Sequence, residues 1–302
     1  MSLKQSTAQH CENNILYIPS ALHSMRDVEL LLHNQDSAIF YKALEQDLIN
    51  VEFHTSAPCI VYIETGTETI TNCYNHACRV QQHEAVFLPK GLNLYSDYIS
   101  TNGSLRAYLL FLSDDVVTDF LATGTSLPKL SNSTSTFLKV DKSPAVTLFF
   151  ESLIASYRYW HHSPHILKLK LLEILHIIDI NDEDQQLRSN LSVNQQENPK
   201  RNIKRLMEKY IISHLSAKDF AALSGRSVSS FNREFKALYG TTPKQWIIEQ
   251  RLAHAYTLLV EQRWSVTAVA NEVGYDNISH FITAFKRVYH QTPHQIKTVD
   301  PH

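Results

Sequence analysis

Glycine is scarce in this sequence, with 7 in 302 residues. So few glycines leave little material for the glycine-rich loop with which many nucleotide-dependent enzymes cradle phosphates. Ser224-Gly225 lies between two helical patterns, and not in the strained strand-to-helix turn that exposes a catalytic serine. These absences argue against phosphate-loop and serine-nucleophile chemistry, and we expect neither catalysis nor a cofactor.

Cysteine and long apolar runs are also sparse. The four cysteines, Cys11, Cys59, Cys73 and Cys78, all fall in the N-terminal half, where a reducing cytosol would leave them as free thiols. No opening stretch joins basic residues to an apolar run, and no apolar run is long enough to span a bilayer. We therefore expect a cytoplasmic protein without a membrane partner, and its length and 43% hydrophobic content predict two domains.

Charge is distributed unevenly along the chain. Residues 200–302 contain 15 Lys and Arg against 8 Asp and Glu, a net charge of +7, whereas residues 1–199 contain 13 against 22, a net charge of −9. A basic domain joined to an acidic one is typical of a protein that binds phosphate at one end. The candidate phosphate contacts are Lys200, Arg201, Lys204, Arg205, Lys236, Lys286 and Arg287.

The basic region contains an internal repeat. The segment FNREFKALYGTTPKQW at 231–246 matches FITAFKRVYHQTPHQI at 281–296 in seven positions, so one supersecondary unit occurs twice. Each copy places apolar residues at helical spacing, which predicts a helix with one buried stripe. The predicted stripes are Val228, Phe231, Phe235 and Leu238 in the first copy and Ile278, Phe281, Phe285 and Val288 in the second.

Capping and turn residues place a shorter helix before each repeated helix. In the first copy Ser216 can cap the short helix, Gly225 suits a turn with positive φ, and Ser227 can cap the next helix. The second copy repeats the scheme with Ser265, Gly274 and either Asp276 or Asn277. This order predicts two helix-turn-helix units. Their outward-facing residues are Ser229, Ser230, Asn232, Arg233 and Lys236 in one copy and Ser279, His280, Ile282, Thr283 and Lys286 in the other.

A long helix is predicted between the two units. Gly240 can end the first repeated helix, and Thr242 and Pro243 are suited to begin the next one. His290 replaces that glycine in the second copy, so the second turn should be less favourable. The connecting helix, with Ile248, Leu252, Ala255 and Leu259 on one face, should fix both motifs on one rigid frame. The alternative is an all-helical domain whose outward residues are only solvated.

Residues 200–302 resemble the DNA-binding domain of AraC-type transcription regulators. The resemblance covers about a third of the chain, and it implies double-stranded promoter DNA and RNA polymerase as partners. It also implies that Ser229, Asn232 and Arg233 face bases in the first unit, and that Ser279, His280 and Thr283 do so in the second. The matching residues are Ala221, Gly225, Phe231, Arg233, Phe235, Lys236, Gly240 and Pro243, then Arg251, Leu252, Ala255, Leu258 and Leu259, then Val269, Ala270, Gly274, Tyr275, His280, Phe281, Phe285, Lys286 and Pro293.

The N-terminal region, residues 1–140, has the sequence pattern of a β-rich domain. Residues 15–18 suggest a strand, and helix-like patches follow at 28–32 and 40–48. From residue 51, short β-rich runs alternate with turn residues, which predicts a compact antiparallel sandwich or barrel. Before an AraC-type domain, this order is similar to that family's cupin-like regulatory barrel. The expected fold is therefore α+β: a cupin-like antiparallel β-barrel with accessory helices, then an all-α double helix-turn-helix domain.

Two helical patterns in residues 141–180 begin at Pro144 and Pro164. In the second, Ile166, Leu169, Leu172, Leu175 and Ile178 form a candidate stripe. The stripe could pack on the barrel, or it could form a homodimer, as such helices do in the family the sequence resembles. Residues 181–199 have few apolar anchors and are predicted to be a flexible linker.

Metal or redox sensing is the main alternative hypothesis for the N-terminal domain. Cys73, His76, Cys78 and His83 carry suitable donor atoms. Strand alternation would divide these side chains between two faces, and the His-x-His pair usual in metal-binding cupins is missing. We therefore predict no metal site.

The sequence as a whole predicts a DNA-binding transcription activator. Its N-terminal domain would respond to a small-molecule effector or a regulatory protein. The alternatives are a repressor or architectural DNA binder with the same DNA-binding domain, and a metal- or redox-sensing cupin protein.

Overall fold

A computed structural model describes most of the chain: residues 6–7, 15–34, 36–99, 103–123, 137–156, 164–192, 200–210, 215–275 and 277–298. The chain divides into two compact units, residues 1–199 and residues 200–302. Within the described ranges, no helix combines the length and apolar composition needed to cross a bilayer.

The N-terminal unit is built on two β-sheets. The described residues form strands β1 (Leu16–Ile18), β2 (Val28–Asn34), β3 (Ser37–Leu44), β4 (Leu48–Thr55), β5 (Cys59–Thr65), β6 (Thr67–Thr71), β7 (Ala77–Gln81), β8 (Ala85–Leu88), β9 (Asn93–Tyr98), β10 (Leu105–Phe111) and β11 (Leu138–Val140). One sheet has the order β1-β4-β9-β6-β7 and the other β11-β8-β5-β10-β3-β2. Their pairs are antiparallel except β1 with β4. The antiparallel β-domain is therefore confirmed, as two sheets and not as a closed barrel.

The helix-like patches predicted near the N-terminus are wrong. Residues 28–34 and 37–44 are two strands of one hairpin, in which Glu29 lies opposite Tyr41 and Asn34 opposite Ser37. Because Phe40 and Leu44 point into the space between the sheets while Ile39 packs on the opposite face, both faces of β3 are buried. A strand that is apolar on both faces lacks the simple alternation that distinguishes a strand from a helix.

The space between the sheets holds a large apolar core with one buried ion pair. Phe53 and Ile70 from the five-stranded sheet belong to the same cluster as Val61 and Phe111 from the six-stranded one. Within it, Lys42 Nζ lies 2.9 Å from Glu68 Oε1. The hydroxyl of Ser96 donates to the same carboxylate oxygen. Beside this pair, the described residues enclose a cavity of about 50 Å³.

Helices cover the opposite face of the six-stranded sheet. They are α1 (Asp114–Ala122), α2 (Pro144–Ser156), α3 (Pro164–Ile180) and α4 (Gln186–Ser192). The ring of Phe150 stacks on Tyr62 of β5, with centroids 3.9 Å apart and planes at 7°. The same core contains Phe120 of α1 and Leu187 of α4. The helices therefore complete this half of the domain.

The predicted stripe on α3 needs correction. The buried face consists of Leu167, Leu171, Ile174, Leu175 and Ile178. Leu175 and Ile178 therefore belong to the domain's own core and are not available for a dimer. Leu169 is 66% exposed, and Ile166 and Leu172 are half-buried. A constant step of three residues drifts around a helix, so the five positions do not share one face.

The predicted linker also begins later than expected. Residues 186–192 form α4, whose Leu187 is buried and whose Arg188 guanidinium donates to Asp179 of α3, at 2.7 Å from its Nη2 to Oδ2. Arg188 also lies over the ring of Phe120, at 4.4 Å. The first part of the predicted linker therefore packs on the N-terminal unit, and residues 193–199 lie outside the described residues.

The C-terminal unit consists of helices. They are α5 (Ile203–Tyr210), α6 (Ala217–Leu223), α7 (Val228–Tyr239), α8 (Pro243–Val260), α9 (Val266–Glu272), α10 (Ile278–Tyr289) and α11 (Pro293–Thr298). Two separate apolar clusters hold them, one around Phe231 and Phe235 and one around Phe281 and Phe285. The predicted all-helical domain is confirmed.

The buried Lys42–Glu68 pair generates a stability prediction. We expect Lys42→Met to lower the free energy of unfolding by about 3 to 5 kcal/mol, because it leaves a carboxylate without its cation in the core. The double variant Lys42→Met with Glu68→Leu should recover most of this loss, since no charge then remains buried. Urea denaturation followed by circular dichroism measures both. An unchanged midpoint for Lys42→Met would contradict the prediction.

Candidate nucleic-acid interface

The first helix-turn-helix consists of α6, a short turn and α7. Ser216 and Asp219 form a capping box at the start of α6, in which each side chain accepts a hydrogen bond from the other residue's backbone amide. Gly225 has a φ of 68° in the turn. The hydroxyl of Ser227 then accepts from the amide of Ser230 and caps α7. Local signals in the sequence thus set both helices and the turn between them.

Helix α7 buries one face and exposes another. Phe231 and Phe235 are fully buried, and Tyr239 stacks on Phe235 with ring centroids 4.5 Å apart. The other side exposes Ser229, Asn232, Arg233 and Lys236, while Ser230 is half-buried. This side can enter a major groove with hydrogen-bonding and cationic groups.

The second unit repeats this arrangement with α9 and α10. Ser265 caps α9, Gly274 has a φ of 80°, and the side chain of Asn277 accepts from the amides of Ser279 and His280. Phe281 and Phe285 are buried. The outer side exposes Ser279, His280, Thr283 and Lys286, and Ile282 is half-buried.

The ends of the two recognition helices differ as expected. Gly240 ends α7 with a φ of 71°, and His290 ends α10 with a φ of 58°. Both residues are therefore in the left-handed conformation. In the second unit His290 adopts it although, unlike glycine, it has a β-carbon. Left-handed geometry disfavours side chains other than glycine, so the second turn is the less favourable of the two.

Helix α8 connects the two units through both cores. Ile247, near its beginning, belongs to the cluster of the first unit. Leu252, Ala255 and Leu259 belong to the cluster of the second. In addition, the guanidinium of Arg251 donates to the carbonyl of Leu215, at 3.0 Å. One continuous helix thus supports both recognition helices, as the apolar spacing predicted.

A buried arginine in the first turn was missed at the sequence level. The Arg226 Nε donates to Glu234 Oε2 at 2.8 Å, and its Nη1 donates to the carbonyls of Arg201 at 2.7 Å and Ser224 at 2.9 Å. Its side chain is fully buried. The available signal was an arginine directly after the turn glycine, with a glutamate eight residues later. Arg226 therefore ties the turn to α7 and does not face DNA.

The structure shows which of the predicted phosphate contacts are buried and which are exposed. Arg201 is buried, and its Nη1 donates to the carbonyl of Leu223 at 3.4 Å, so its assignment as a phosphate contact is corrected. Lys200 lies 3.8 Å from Glu234. Exposed cations remain on α5, α7 and α10: Lys204, Lys236, Lys286 and Arg287.

The rival metal or redox site has little support in the geometry. Cys73 lies in the turn between β6 and β7, whereas Cys78 lies on β7. Among the described residues, no three His, Cys, Asp or Glu side chains are grouped so that they could hold a metal ion. Burial raises the pKa of the Cys59 and Cys78 thiols. Since the thiolate is the reactive and metal-binding form, both cysteines are poorly suited to either role.

Comparison with known families matches both units separately. The family described as "Helix-turn-helix domain" matches residues 220–298, which contain most of both units. The family described as "ExsA N-terminal regulatory domain" matches residues 58–190, which run from β5 into α4. The chain therefore contains an AraC-type helix-turn-helix domain and a domain similar to the ExsA N-terminal regulatory domain.

Curated relatives match this chain over part of their length. The HTH-type transcriptional regulator ExsA of Pseudomonas aeruginosa is 29% identical over 135 residues, which is 44% of this chain and 47% of ExsA. The virulence regulon transcriptional activator VirF of Yersinia enterocolitica is 28% identical over 99 residues, which is 33% of this chain and 36% of VirF. The matched regions thus span about half or less of these relatives.

Solved structures give the following similarities. An apo ToxT variant from Vibrio cholerae strain SCE256 is 12% identical, with 88% of this chain and 98% of that chain covered and a TM-score of 0.42. An AraC-type DNA-binding domain-containing regulator from Chromobacterium violaceum is 29% identical, with 32% of this chain and 85% of that chain covered and a TM-score of 0.29.

Two arginines on this surface should behave differently. We expect Arg233→Ala to weaken binding to a specific site by ~1 to 3 kcal/mol and to relax discrimination at about one base pair, as loss of a bidentate contact would. Arg287→Ala, the matched control, should weaken specific and random DNA by the same factor, because a phosphate contact carries no sequence information. Competition binding of both variants against specific and random duplexes measures the difference. Equal losses for Arg233→Ala would identify it as another phosphate contact.

Proposed function

We propose that this protein is a sequence-specific DNA-binding transcription regulator, and specifically an activator. The observation that carries this proposal is the pair of capped helices, α7 and α10, each exposing polar and cationic side chains and both anchored on α8. The net charge of +7 in residues 200–302 adds the sequence-independent attraction that phosphate binding needs. Promoter DNA is the proposed partner, which places the protein in the cytoplasm.

The activator role is supported by the relatives' names. VirF is named a transcriptional activator, and ExsA a transcriptional regulator. An activator must also contact RNA polymerase, and we propose that partner on functional grounds. A repressor or architectural binder would use the same helices. Transcription from a promoter carrying the binding site, with and without the protein, distinguishes these roles.

We propose that a protein partner, and not a small molecule bound between the two sheets, controls the N-terminal domain. The space between the sheets is filled by side chains such as Phe53, Ile70 and Phe111, and the cavity beside Lys42 and Glu68 measures about 50 Å³. A drug-sized ligand needs several hundred Å³. The space between the sheets has room for a water molecule or two, and the sheets would have to separate to take anything larger there.

Salt dependence tests the DNA-binding proposal. If Lys204, Lys236, Lys286 and Arg287 each neutralise one phosphate, the log of the affinity of the full chain should fall with the log of the salt concentration with a slope of about −4. Lys286→Ala should make the slope shallower by about 1. Fluorescence anisotropy on a labelled duplex measures it. A slope near zero would contradict DNA binding by this surface.

Dimer formation is the proposed means of coupling adjacent sites. Leu169 is the most exposed residue of the predicted α3 stripe, and Ile166 and Leu172 flank it on the same helix. Two paired chains would bind tandem sites with raised effective concentration. Since Leu175 is part of the core, a charge there would unfold the domain and would not report on pairing.

The exposed leucine provides the test of the dimer. We expect Leu169→Asp to abolish cooperative binding to tandem sites while single-site affinity stays unchanged, because a charge would be buried in the pairing face. The matched control is Ile49→Asp, since Ile49 is 61% exposed on β4, in the other sheet. Quantitative footprinting on one-site and two-site duplexes measures both. Cooperativity that survives Leu169→Asp would place the coupling elsewhere.

A further inference from the structure

The first residue of each recognition helix is apolar and exposed. Val228 begins α7 directly after its cap Ser227, and Ile278 begins α10 directly after its cap Asn277. Their exposed fractions are 45% and 37%. Both residues were predicted to belong to the buried stripes, and the structure contradicts that assignment. Exposure at the same place in both copies points to a shared role outside the core.

The geometry of the helices explains why these residues stay outside the core. The phenylalanine pairs, Phe231 with Phe235 and Phe281 with Phe285, occupy the buried faces. Residues four apart lie above one another on a helix. Val228 therefore lies beside Asn232, and Ile278 lies beside Ile282, on the edge next to the buried face. Each apolar residue is therefore exposed because it begins its helix, next to the surface that would face DNA bases.

The two recognition surfaces differ in chemistry along that edge. In α7 the apolar Val228 is followed by Asn232 and Arg233, whose amide and guanidinium groups suit adenine and guanine edges. In α10 the corresponding positions are Ile282 and Thr283. The hydroxyl of Thr283 donates to the backbone carbonyl of Ser279 at 2.8 Å, which occupies its donor hydrogen. Along the Ile278–Ile282 edge the second helix therefore offers methyl groups, beside the exposed polar residues Ser279 and His280.

The major groove presents one apolar group, the C5-methyl of thymine. Helix-turn-helix proteins contact base edges with residues near the beginning of the recognition helix, which is where Val228 and Ile278 lie. Lys286 and Arg287 in the last turn of α10 add positive charge to the same helix, which favours DNA over an apolar protein surface as the occupant.

We propose that Val228 and Ile278 contact thymine methyl groups, and that α10 selects A·T pairs mainly through the Ile278–Ile282 edge. This inference rests on the proposed DNA-binding function and adds the base class that each helix selects. The site bound by one chain is then asymmetric in composition. The α7 half contains guanine and adenine contacts beside a thymine, and the α10 half is dominated by thymine methyl contacts.

Replacing thymine by deoxyuridine tests the inference, because it removes the methyl group and keeps every hydrogen-bonding group. The full chain is used, with a duplex site obtained by selection from random sequence, and each thymine is replaced in turn. Loss of one methyl contact should weaken binding about fourfold. We expect this loss at one position or more in the α10 half and at one in the α7 half. At the α10 position, 5-methylcytosine should bind tighter than cytosine by a similar factor.

Protein variants assign each methyl group to a residue. In Ile278→Ala the deoxyuridine penalty should disappear in the α10 half and persist in the α7 half, and Val228→Ala should give the reverse. Both changes lie at exposed helix starts, and thermal melting checks that the variants fold. The matched control is Leu238→Ala, since Leu238 is 49% exposed in the last turn of α7, and it should keep both penalties.

The outcomes separate this inference from the DNA-binding proposal. Salt-dependent, sequence-specific binding that is indifferent to deoxyuridine at every position would overturn the methyl contacts and leave DNA binding intact. A penalty that persists unchanged in Ile278→Ala and Val228→Ala would assign the methyl contact to other residues and overturn the inference. Failure to select any sequence would contradict the proposed function itself.

Discussion

Burial of four phenylalanines against one helix is the constraint on which the C-terminal unit depends. Phe231 and Phe235 pack in one cluster and Phe281 and Phe285 in another, and α8 contributes residues to both. Neither short helix-turn-helix could bury its apolar face alone, because each has only a few turns of helix to cover it. The position of α7 relative to α10 is therefore fixed by packing and not by a hinge. We expect this packing to hold the two helices at one separation when they meet DNA.

The N-terminal unit obeys a different constraint, in which a charge pair lies inside an apolar core. Lys42 and Glu68 come from different sheets, so their contact joins the two layers at one point. Such a pair adds little net stability compared with apolar residues, but removing one partner is costly. Together with the filled space between the sheets, it supports the proposal that no small molecule binds between the sheets. The proposed protein partner at the domain surface would not require the sheets to separate.

The parts of the fold that the sequence predicted are those set by local chemistry. Caps such as Ser216, Ser227 and Thr242, and the turn glycine Gly225, act within a few residues, and the structure uses each as expected. Non-local pairing was harder to predict. The hairpin of β2 and β3 was taken for helix because its second strand is buried on both faces, and no short-range pattern distinguishes these cases.

The prediction identified the two recognition helices but misassigned some of their buried residues, because periodicity does not show how far the core extends along a helix. The step from Phe231 to Phe235 identified the buried face, but extending it to Val228 and Leu238 assumed that the core spans the whole helix. On α3, apolar residues occur on nearly every side, so periodicity could not select the face that packs. Arg226 is polar by sequence and buried by structure, where its Nε and Nη1 donate to Glu234 and to two backbone carbonyls.

The two copies of the helix-turn-helix agree where they build the frame and differ where they would meet DNA. Phe231 matches Phe281 and Pro243 matches Pro293, whereas Arg233 is replaced by Thr283 and Asn232 by Ile282. The two copies therefore share one structural framework but present two different recognition surfaces. A chain with unlike surfaces can bind its site in one orientation only, because reversal would place Arg233 over bases suited to Thr283. Fixed orientation on a promoter suits the proposed activator role, since a surface that contacts RNA polymerase must face the start of transcription.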